Sequence, residues 1–251
     1  MLFRSGATAG TRAFRWDPVT GLRDLGDLPG GVDFSEGFGI NDAGQVVGFS
    51  GANAGNRAFR WDPVNGLEDL GDLPGGNDFS LAFAINDAGQ VAGFSDAATG
   101  NRAFRWDPVT GLEDLGDLPG GTDFSLANGI NDAGRVTGRS GVAGGTRAFL
   151  WDPVTGLEDL GDLPGGADFS EGYDINDAGQ VVGRSSAADG DRAFLWDPAH
   201  GLMELDDLLI DGLGWTLVQA RGINEFGAIT GFGTNPDGNT EESRGSEGSE
   251  D

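Results

Sequence analysis

One block, RAFRWDPVTGLRDLGDLPGG, recurs along this chain with little change at an even spacing of 45 residues. A fixed period of this length indicates a repeat architecture in which each unit forms one small supersecondary element. Five near-equivalent units favour a scaffold or a multi-site binder over a single asymmetric catalytic centre. The copies begin at Arg12, Arg57, Arg102, Arg147 and Arg192.

Each repeat has the pattern of four short strands. Between Phe79 and Leu118, short apolar runs alternate with Gly, Pro, Asn and Asp, which is typical of strands separated by turns. Glycine accounts for 47 of the 251 residues, and no apolar stripe is long enough for a helix. The sequence therefore predicts a four-stranded antiparallel meander. Its strands are A (79–86), B (90–95), C (102–107) and D (112–118).

Two turns in each repeat have a clear chemical basis. Asn86-Asp87-Ala88-Gly89 suits a type I turn with glycine in the left-handed position, which joins strands A and B. In the segment 107–111, Asp caps the turn, Pro presets its φ and Gly takes a positive φ. Both turns recur in every complete unit.

A lone meander with apolar groups on both faces must stack on its neighbours, and radial stacking gives a β-propeller. The first block starts at strand C and the last unit stops after strand B. We therefore predict an all-β, five-bladed propeller in which N-terminal strands C and D (12–17, 22–28) join C-terminal strands A and B (217–224, 228–232). Closure of this kind removes exposed sheet edges. The predicted blades cover about 34–73, 79–118, 124–163, 169–208, and 215–233 together with 2–28, in a single domain of residues 1–233.

The segment 234–251 is polar and acidic and contains no large apolar group. It cannot bury enough apolar surface to offset the entropy of ordering, so we expect a disordered tail.

Two families share motifs with the repeat. INDAG and RWD resemble the turn and the Trp-Asp strand end of a WD-repeat blade, although Gly75 and Gly76 stand where that family often has Gly-His. The unit is more closely similar to the HAF-type extracellular repeat. RAFLWDP, LEDLGDL and INDAGQVVG match its three segments over roughly residues 2–233, with Arg replacing the His. This resemblance implies a surface or secreted repeat protein, and it brings no activity with it.

Charge and composition exclude several kinds of partner and site. The formal net charge is −26 and every cationic residue is Arg, which disfavours nucleic acid and anionic lipid as partners. Such a composition fits a halophile, or simply an acidic protein. The absence of Cys excludes thiolate sites and a Cys nucleophile, and the presence of a single His, His200, argues against a Ser-His-Asp centre and a zinc site. No run is long enough to span a membrane, the N-terminus lacks a signal-peptide core, and we expect a monomer.

The positions that vary between repeats indicate where a ligand could bind. When Asn56–Gly100 is compared with Asn101–Gly145, 10 of the 45 positions differ, mostly in strand A, strand B and the B–C loop. In a propeller strand A lines the axis, so these differences cluster at one face. The strand-A candidates for ligand binding are Phe38, Phe83, Asn128 and Tyr173.

An aspartate precedes strand A in four units, in the pattern Gly-Gly-x-Asp-Phe-Ser. In a ring these carboxylates would form a circle that suits a hard cation such as Ca²⁺. The alternative is that each Asp caps its own turn, with no cofactor bound. The four residues are Asp33, Asp78, Asp123 and Asp168.

A tryptophan lies on strand C of each unit, two residues after a Phe. These residues could stack on sugars, but burial between blades is the simpler role and stabilises by several kcal/mol each, about 4–6 gross. The residues are Trp16, Trp61, Trp106, Trp151 and Trp196. We also expect Arg57 to pair with a nearby carboxylate such as Asp69.

The fifth unit departs most from the others. Leu209–Gln219 is three residues longer than its counterparts and adds Trp215, which indicates either a modified site or adaptation of an end repeat. Together these features predict a non-enzymatic scaffold or interaction module with an unknown protein or glycan partner. A multivalent lectin-like binder is the alternative, and a carboxylate glycosidase is the weakest hypothesis.

Overall fold

The computed structural model of this chain describes residues 10–210, 214–237 and 240–243. Its elements are antiparallel strands, with one 3-10 turn, Leu205–Leu208, as the helical element of that part. The all-β prediction is thus confirmed. None of the helical structure in the described ranges is long and apolar enough to cross a membrane. The chain divides into two compact units, Met1–Asp114 (unit 1) and Leu115–Asp251 (unit 2).

Unit 1 contains a hairpin followed by two four-stranded meanders. The hairpin pairs β1 (Phe14–Asp17) with β2 (Gly21–Asp24). The first meander consists of β3 (Gly30–Ile40), β4 (Val46–Ala52), β5 (Asn56–Asp62) and β6 (Gly66–Gly71). The second consists of β7 (Gly75–Ile85), β8 (Val91–Ala97), β9 (Gly100–Asp107) and β10 (Gly111–Asp114).

Unit 2 contains two further four-stranded meanders and a three-stranded sheet. The first meander consists of β11 (Ser125–Ile130), β12 (Val136–Val142), β13 (Gly145–Asp152) and β14 (Gly156–Asp159). The second consists of β15 (Gly165–Ile175), β16 (Val181–Ala187), β17 (Gly190–Asp197) and β18 (Gly201–Glu204). The last sheet consists of β19 (Thr216–Ile223), β20 (Ile229–Thr234) and β21 (Thr240–Ser243). One parallel pair, Thr146 with Phe169, links the two meanders.

The turn between strands A and B has the predicted chemistry. Gly89 donates its N–H to the Asn86 carbonyl at 3.0 Å and adopts a φ of 78°, a region that favours glycine. The Asn86 side chain accepts the N–H of Gln90 at 2.8 Å. Asn41 Nδ2 also donates to the Asn86 carbonyl at 2.9 Å, which ties the turns of two adjacent sheets together.

Apolar side chains from adjacent sheets form the cores. In unit 1, Phe104 and Trp106 of one sheet pack with Val47, Ala58 and Leu70 of the sheet before it. The same strand-C positions are buried in the other complete meanders. The tryptophans of the four meanders retain 2–7% of their surface: Trp61, Trp106, Trp151 and Trp196.

Serine side chains fasten neighbouring segments within each unit. Ser80 Oγ on β7 accepts the Ala58 N–H at 2.9 Å and donates to the Gly71 carbonyl at 2.6 Å. Its cross-strand partner Ser95 accepts the N–H of Leu73 at 2.9 Å. We call such a cross-strand pair a serine clasp, and its members are fully buried. The clasps are Ser35–Ser50, Ser80–Ser95, Ser125–Ser140 and Ser170–Ser185.

The predicted closure of the ring does not form. In the described part of the chain, β20 pairs with β19 and with Thr240–Ser243, and β1 pairs with β2. Thr240–Ser243 belongs to the segment predicted to be disordered. It occupies the edge of β20 that the prediction assigned to the N-terminal strand C (12–17). Trp16 is 62% exposed for the same reason, because no strand B covers it. Residues 1–9, 211–213, 238–239 and 244–251 of these predictions, including part of the longer segment Leu209–Gln219, lie outside the described residues.

Candidate functional site

One pair of facing residues on strands A and B differs in residue type among the four meanders. It lies next to the serine clasp, on the neighbouring residue of each strand. The two pairs of unit 1 include phenylalanine, whereas both pairs of unit 2 include arginine. The four pairs are Glu36–Phe49, Leu81–Phe94, Leu126–Arg139 and Glu171–Arg184.

In unit 1 this position belongs to a continuous run of aromatic rings. The sequence-predicted ligand residues Phe38 and Phe83 touch each other, with ring centroids 5.6 Å apart. Phe38 stacks on Phe49 at 5.7 Å, and Phe83 stacks on Phe94 at 5.8 Å. Contacts of this kind stabilise beyond the area that they bury. The Phe ladder, as we call it, consists of Phe34, Phe38, Phe49, Phe79, Phe83 and Phe94.

In unit 2 the corresponding side chains surround a buried carboxylate. Glu171 is only 7% exposed. Its Oε1 lies 3.4 Å from Arg139 Nε and 3.4 Å from Asn128 Nδ2. Its Oε2 accepts a hydrogen bond from the Tyr173 hydroxyl at 2.9 Å and lies 3.5 Å from Arg184 Nη2. These five residues form the polar cluster, which brings together the two predicted ligand residues Asn128 and Tyr173.

The two arginines of the polar cluster are held differently. Arg184 lies over the Phe169 ring at 4.8 Å, and its Nη1 donates to Asp191 at 3.4 Å. Arg139 lies over the Phe124 ring at 5.4 Å. Within the described residues its guanidinium makes no hydrogen bond, and the contact with Glu171 is an ion pair at Nε alone. The terminal nitrogens of Arg139 are therefore free to bind a ligand.

Burial shifts two titrations at this site. Desolvation raises the pKa of Tyr173 above its usual value, and the negative charge of Glu171 raises it further, so the phenol stays protonated. Desolvation also raises the pKa of Asp174, although its carboxylate accepts the backbone N–H groups of Ile175 and Ile223 at 2.9 Å. The prediction missed Asp174; its signal was a carboxylate at a position that is Gly or Ala in the other three meanders.

The aspartates predicted to hold a cation lie beside arginines instead. Asp33, Asp78 and Asp168 form ion pairs with the arginine that opens the neighbouring block. Asp123 occupies the same place in the repeat pattern. Among the described residues, no three acidic or His side chains come together as a metal site would require. The ion pairs are Arg12–Asp33, Arg57–Asp78 and Arg147–Asp168.

Arg57 pairs with nearby carboxylates, as predicted, but Asp69 is not one of them. The guanidinium pairs with Asp72 and with Asp78, whose Oδ1 lies 2.8 Å from Nη2. Asp69 instead accepts the N–H of Gly71 at 2.9 Å, because the turn after β6 needs that acceptor.

Comparisons with known proteins bear on the fold. No family model matches the chain, and no curated protein matches it. Its structure is similar to TolB from Acinetobacter baumannii, with 14% identity and a TM-score of 0.50 over 73% of this chain and 45% of that chain. The chain thus spans less than half the length of that structure. A gluconolactonase from Xanthomonas campestris has 14% identity and a TM-score of 0.45, over 86% of this chain and 73% of that chain. The similarity to TolB supports an all-β, β-propeller-like fold.

The prediction of a non-enzymatic scaffold is contradicted by these neighbours, because one of them is named for an enzyme. The lectin-like and glycosidase alternatives are dropped with it. The fold alone does not separate an enzyme from a non-enzyme here, so function has to be argued from the side chains of the site.

Proposed function

We propose that unit 2 binds a small hydroxycarboxylate at the polar cluster. The observation that carries the proposal is the Arg139 guanidinium, whose terminal nitrogens have no hydrogen-bond partner among the described residues. A guanidinium matches a carboxylate with two parallel hydrogen bonds, and such charge-assisted pairs are about twice as strong as neutral ones. The Arg139 side chain is 28% exposed, so a ligand can reach it from solvent.

A hydroxyl group next to the ligand carboxylate would meet a second free atom. Asn128 uses its Nδ2 to donate to the Gly172 carbonyl at 2.8 Å, and its Oδ1 accepts nothing in the described part of the chain. Asn128 and Arg139 approach the same Glu171 oxygen at 3.4 Å each. The two side chains therefore meet at one carboxylate oxygen, and we assign the ligand carboxylate to the Arg139 guanidinium and the ligand hydroxyl to Asn128 Oδ1.

The contacts within the polar cluster hold its two arginines in place. Glu171 is buried between them, and the rings of Phe124 and Phe169 support the two guanidinium groups from one face. Arg184 is occupied by Glu171 and Asp191, which leaves Arg139 as the group that receives an anion. A preorganised arginine loses less side-chain entropy when it binds.

Calorimetric titration of the full chain with lactate, acetate and 1,2-propanediol tests this proposal. Measurement in about 0.3 M NaCl screens the repulsion by the net charge of −26. We expect lactate to bind more tightly than acetate, and the uncharged diol to give no heat. Arg139→Phe, which installs the residue found at the matching position Phe94, should abolish lactate binding. Asn128→Phe, which installs the residue at Phe83, should remove the advantage of lactate over acetate.

A charge-matched control separates this site from the general field of the protein. Arg60→Gln removes one positive charge from unit 1, where Arg60 pairs with the exposed Glu68 at 2.9 Å. It should leave the lactate affinity unchanged. Equal loss of binding in Arg60→Gln and Arg139→Phe, or full binding by Arg139→Phe, would refute the proposal.

A further inference from the structure

The last sheet of unit 2 lacks the serine clasp. At the paired position where the four meanders carry two serines, this sheet places Leu217 opposite Gly233. A register shift follows Leu217, because the longer fifth repeat supplies an extra residue there. The N–H of Leu217 is accepted by Asp206 Oδ1 at 2.9 Å. The hydrogen bonds of the two serines are thus absent from this sheet. An apolar side chain, Leu217, and the carboxylate of Asp206 take their place.

Loss of the clasp changes how the preceding segment packs. In the four meanders, the N–H of a leucine binds the strand-B serine, and that leucine is buried to 4–5% exposure. Its counterpart in the last unit is Leu208, which lies in the 3-10 turn and is 45% exposed. The leucines buried by the clasps are Leu28, Leu73, Leu118 and Leu163.

The space left by this change is a cavity of about 300 Å³. It lies within unit 2 between the last sheet and β17, and its lining is mostly apolar, with Leu205, Leu217, Ile229 and Phe232 among its walls. A volume of this size is at the lower end of the range for small-molecule sites and roughly twice that of a cavity that holds benzene. Two fused rings would fit.

One polar side chain in the wall makes no hydrogen bond to any described residue. Gln219 lines the cavity and is 9% exposed. Within the described residues its side-chain amide makes no hydrogen bond, whereas Glu171, at the matching cross-strand position, is fully engaged. A ligand in the cavity that carries one hydrogen-bonding group would therefore find a partner in this amide.

We propose that this cavity binds a small, two-ring apolar molecule that carries a single hydrogen-bonding group, which pairs with Gln219. The site is separate from the polar cluster, and neither proposal depends on the other. The cavity lies beside the sheet that lacks the serine clasp.

Fluorescence titration of the full chain with 2-naphthol, and ligand-observed NMR with 2-methylnaphthalene, test the proposal. We expect 2-naphthol to bind at least about tenfold more tightly, the ratio that one hydrogen bond of about 1.4 kcal/mol gives. Leu217→Phe, which enlarges a wall residue, should weaken both probes at least about tenfold. Gln219→Leu should remove the difference between them. Leu22→Phe, at a side chain that is 71% exposed in unit 1, is the matched control and should change neither.

Ile229→Phe fills the cavity from the opposite strand and keeps the test valid if Leu217→Phe does not fold, which circular dichroism reports. Absence of binding by both probes, or binding that neither filling variant weakens, would overturn the proposal. Equal affinity for the two probes in the parent chain would overturn the role of Gln219.

Discussion

Unit 1 and unit 2 use the same strand pairs for opposite chemistry. In unit 1, Phe49 and Phe94 extend a ladder of rings, and in unit 2, Arg139 and Arg184 enclose a carboxylate. The backbone register at these positions is the same. The difference shows that the side-chain neighbours, and not the strand geometry, determine which residue type this position accepts. A charged residue is tolerated there when an oppositely charged side chain lies within reach.

Glu171 is the residue on which that tolerance depends. It is the buried charge of the cluster, and four side chains contact it. By contrast, Leu81 at the matching position of unit 1 needs no polar partner. The first three predictions exchange residues between the two regions, in order of decreasing effect.

Removing the carboxylate should have the largest effect. Glu171→Leu leaves Arg139 and Arg184 half-buried without their shared counter-charge, and we expect a loss of about 3 kcal/mol in the free energy of unfolding, measured by urea denaturation. The triple variant Glu171→Leu, Arg139→Phe, Arg184→Phe copies the composition of unit 1 and should recover most of that loss. If the triple variant is no more stable than the single one, the ion cluster is not what distinguishes the two regions.

Introducing a charge into the Phe ladder should be the next largest change. Phe94→Arg removes ring contacts with Phe83 and Phe79 and places a guanidinium opposite Leu81, with an expected loss of about 2 kcal/mol. Adding Leu81→Glu rebuilds the pair that Glu171 and Arg184 form. A double-mutant cycle should give a favourable coupling of about 1 kcal/mol or more. A coupling of zero would show that the ladder cannot accept the chemistry of the cluster.

The fold was largely predictable from the repeat itself. The turn Asn86–Gly89 has glycine and asparagine where a hairpin needs them, and the structure places both as predicted. Closure of the ring was not predictable, because complementary half-blades at the two ends do not exclude a competing strand. Thr240–Ser243 pairs with β20 although its composition is typical of disorder.

The site was only half predictable. The variation of strand A between repeats selected Asn128 and Tyr173, which the structure brings together, but it did not select Glu171, which contacts both. A comparison of cross-strand partners would have identified it, since the pair Leu81–Phe94 of unit 1 becomes the charged pair Glu171–Arg184 in unit 2. Register is a tertiary property, and periodicity alone does not state which side chains face each other.

The hydroxyl of Tyr173 is a smaller difference between the two regions. Tyr173→Phe installs the ring present at Phe38 and Phe83, removes the 2.9 Å hydrogen bond to Glu171, and should lower the free energy of unfolding by about 1 kcal/mol.

The raised pKa of Tyr173 means that the folded state holds this proton at pH values where the unfolded chain has lost it. Stability should therefore fall as the pH rises above the ordinary tyrosine value of about 10, and the variant should lose that part of the decline. Thermal melts between neutral pH and about pH 11 measure both effects. An identical alkaline decline in the variant would refute the assignment.

The smallest expected difference lies in the C–D turns, which both units share. In unit 1, a hydrogen bond from Gln45 and the turn N–H groups lower the pKa of Asp62, whereas in unit 2 the Val154 N–H and the Arg135 side chain lower the pKa of Asp152. A lowered pKa contributes stability above the unfolded value of about 3.9 and loses it as the pH falls through the folded value. In Asp62→Asn and Asp152→Asn, the melting temperature should therefore fall less steeply than in the parent chain as the pH drops below about 4. Since Asp152 binds the charged Arg135, whereas Asp62 binds the neutral Gln45 and Arg60 is only the smallest cause of its lowered pKa, added salt should reduce the effect of Asp152→Asn more than that of Asp62→Asn. Equal salt dependence of the two variants would show that the arginine in unit 2 adds no electrostatic stabilisation to this turn.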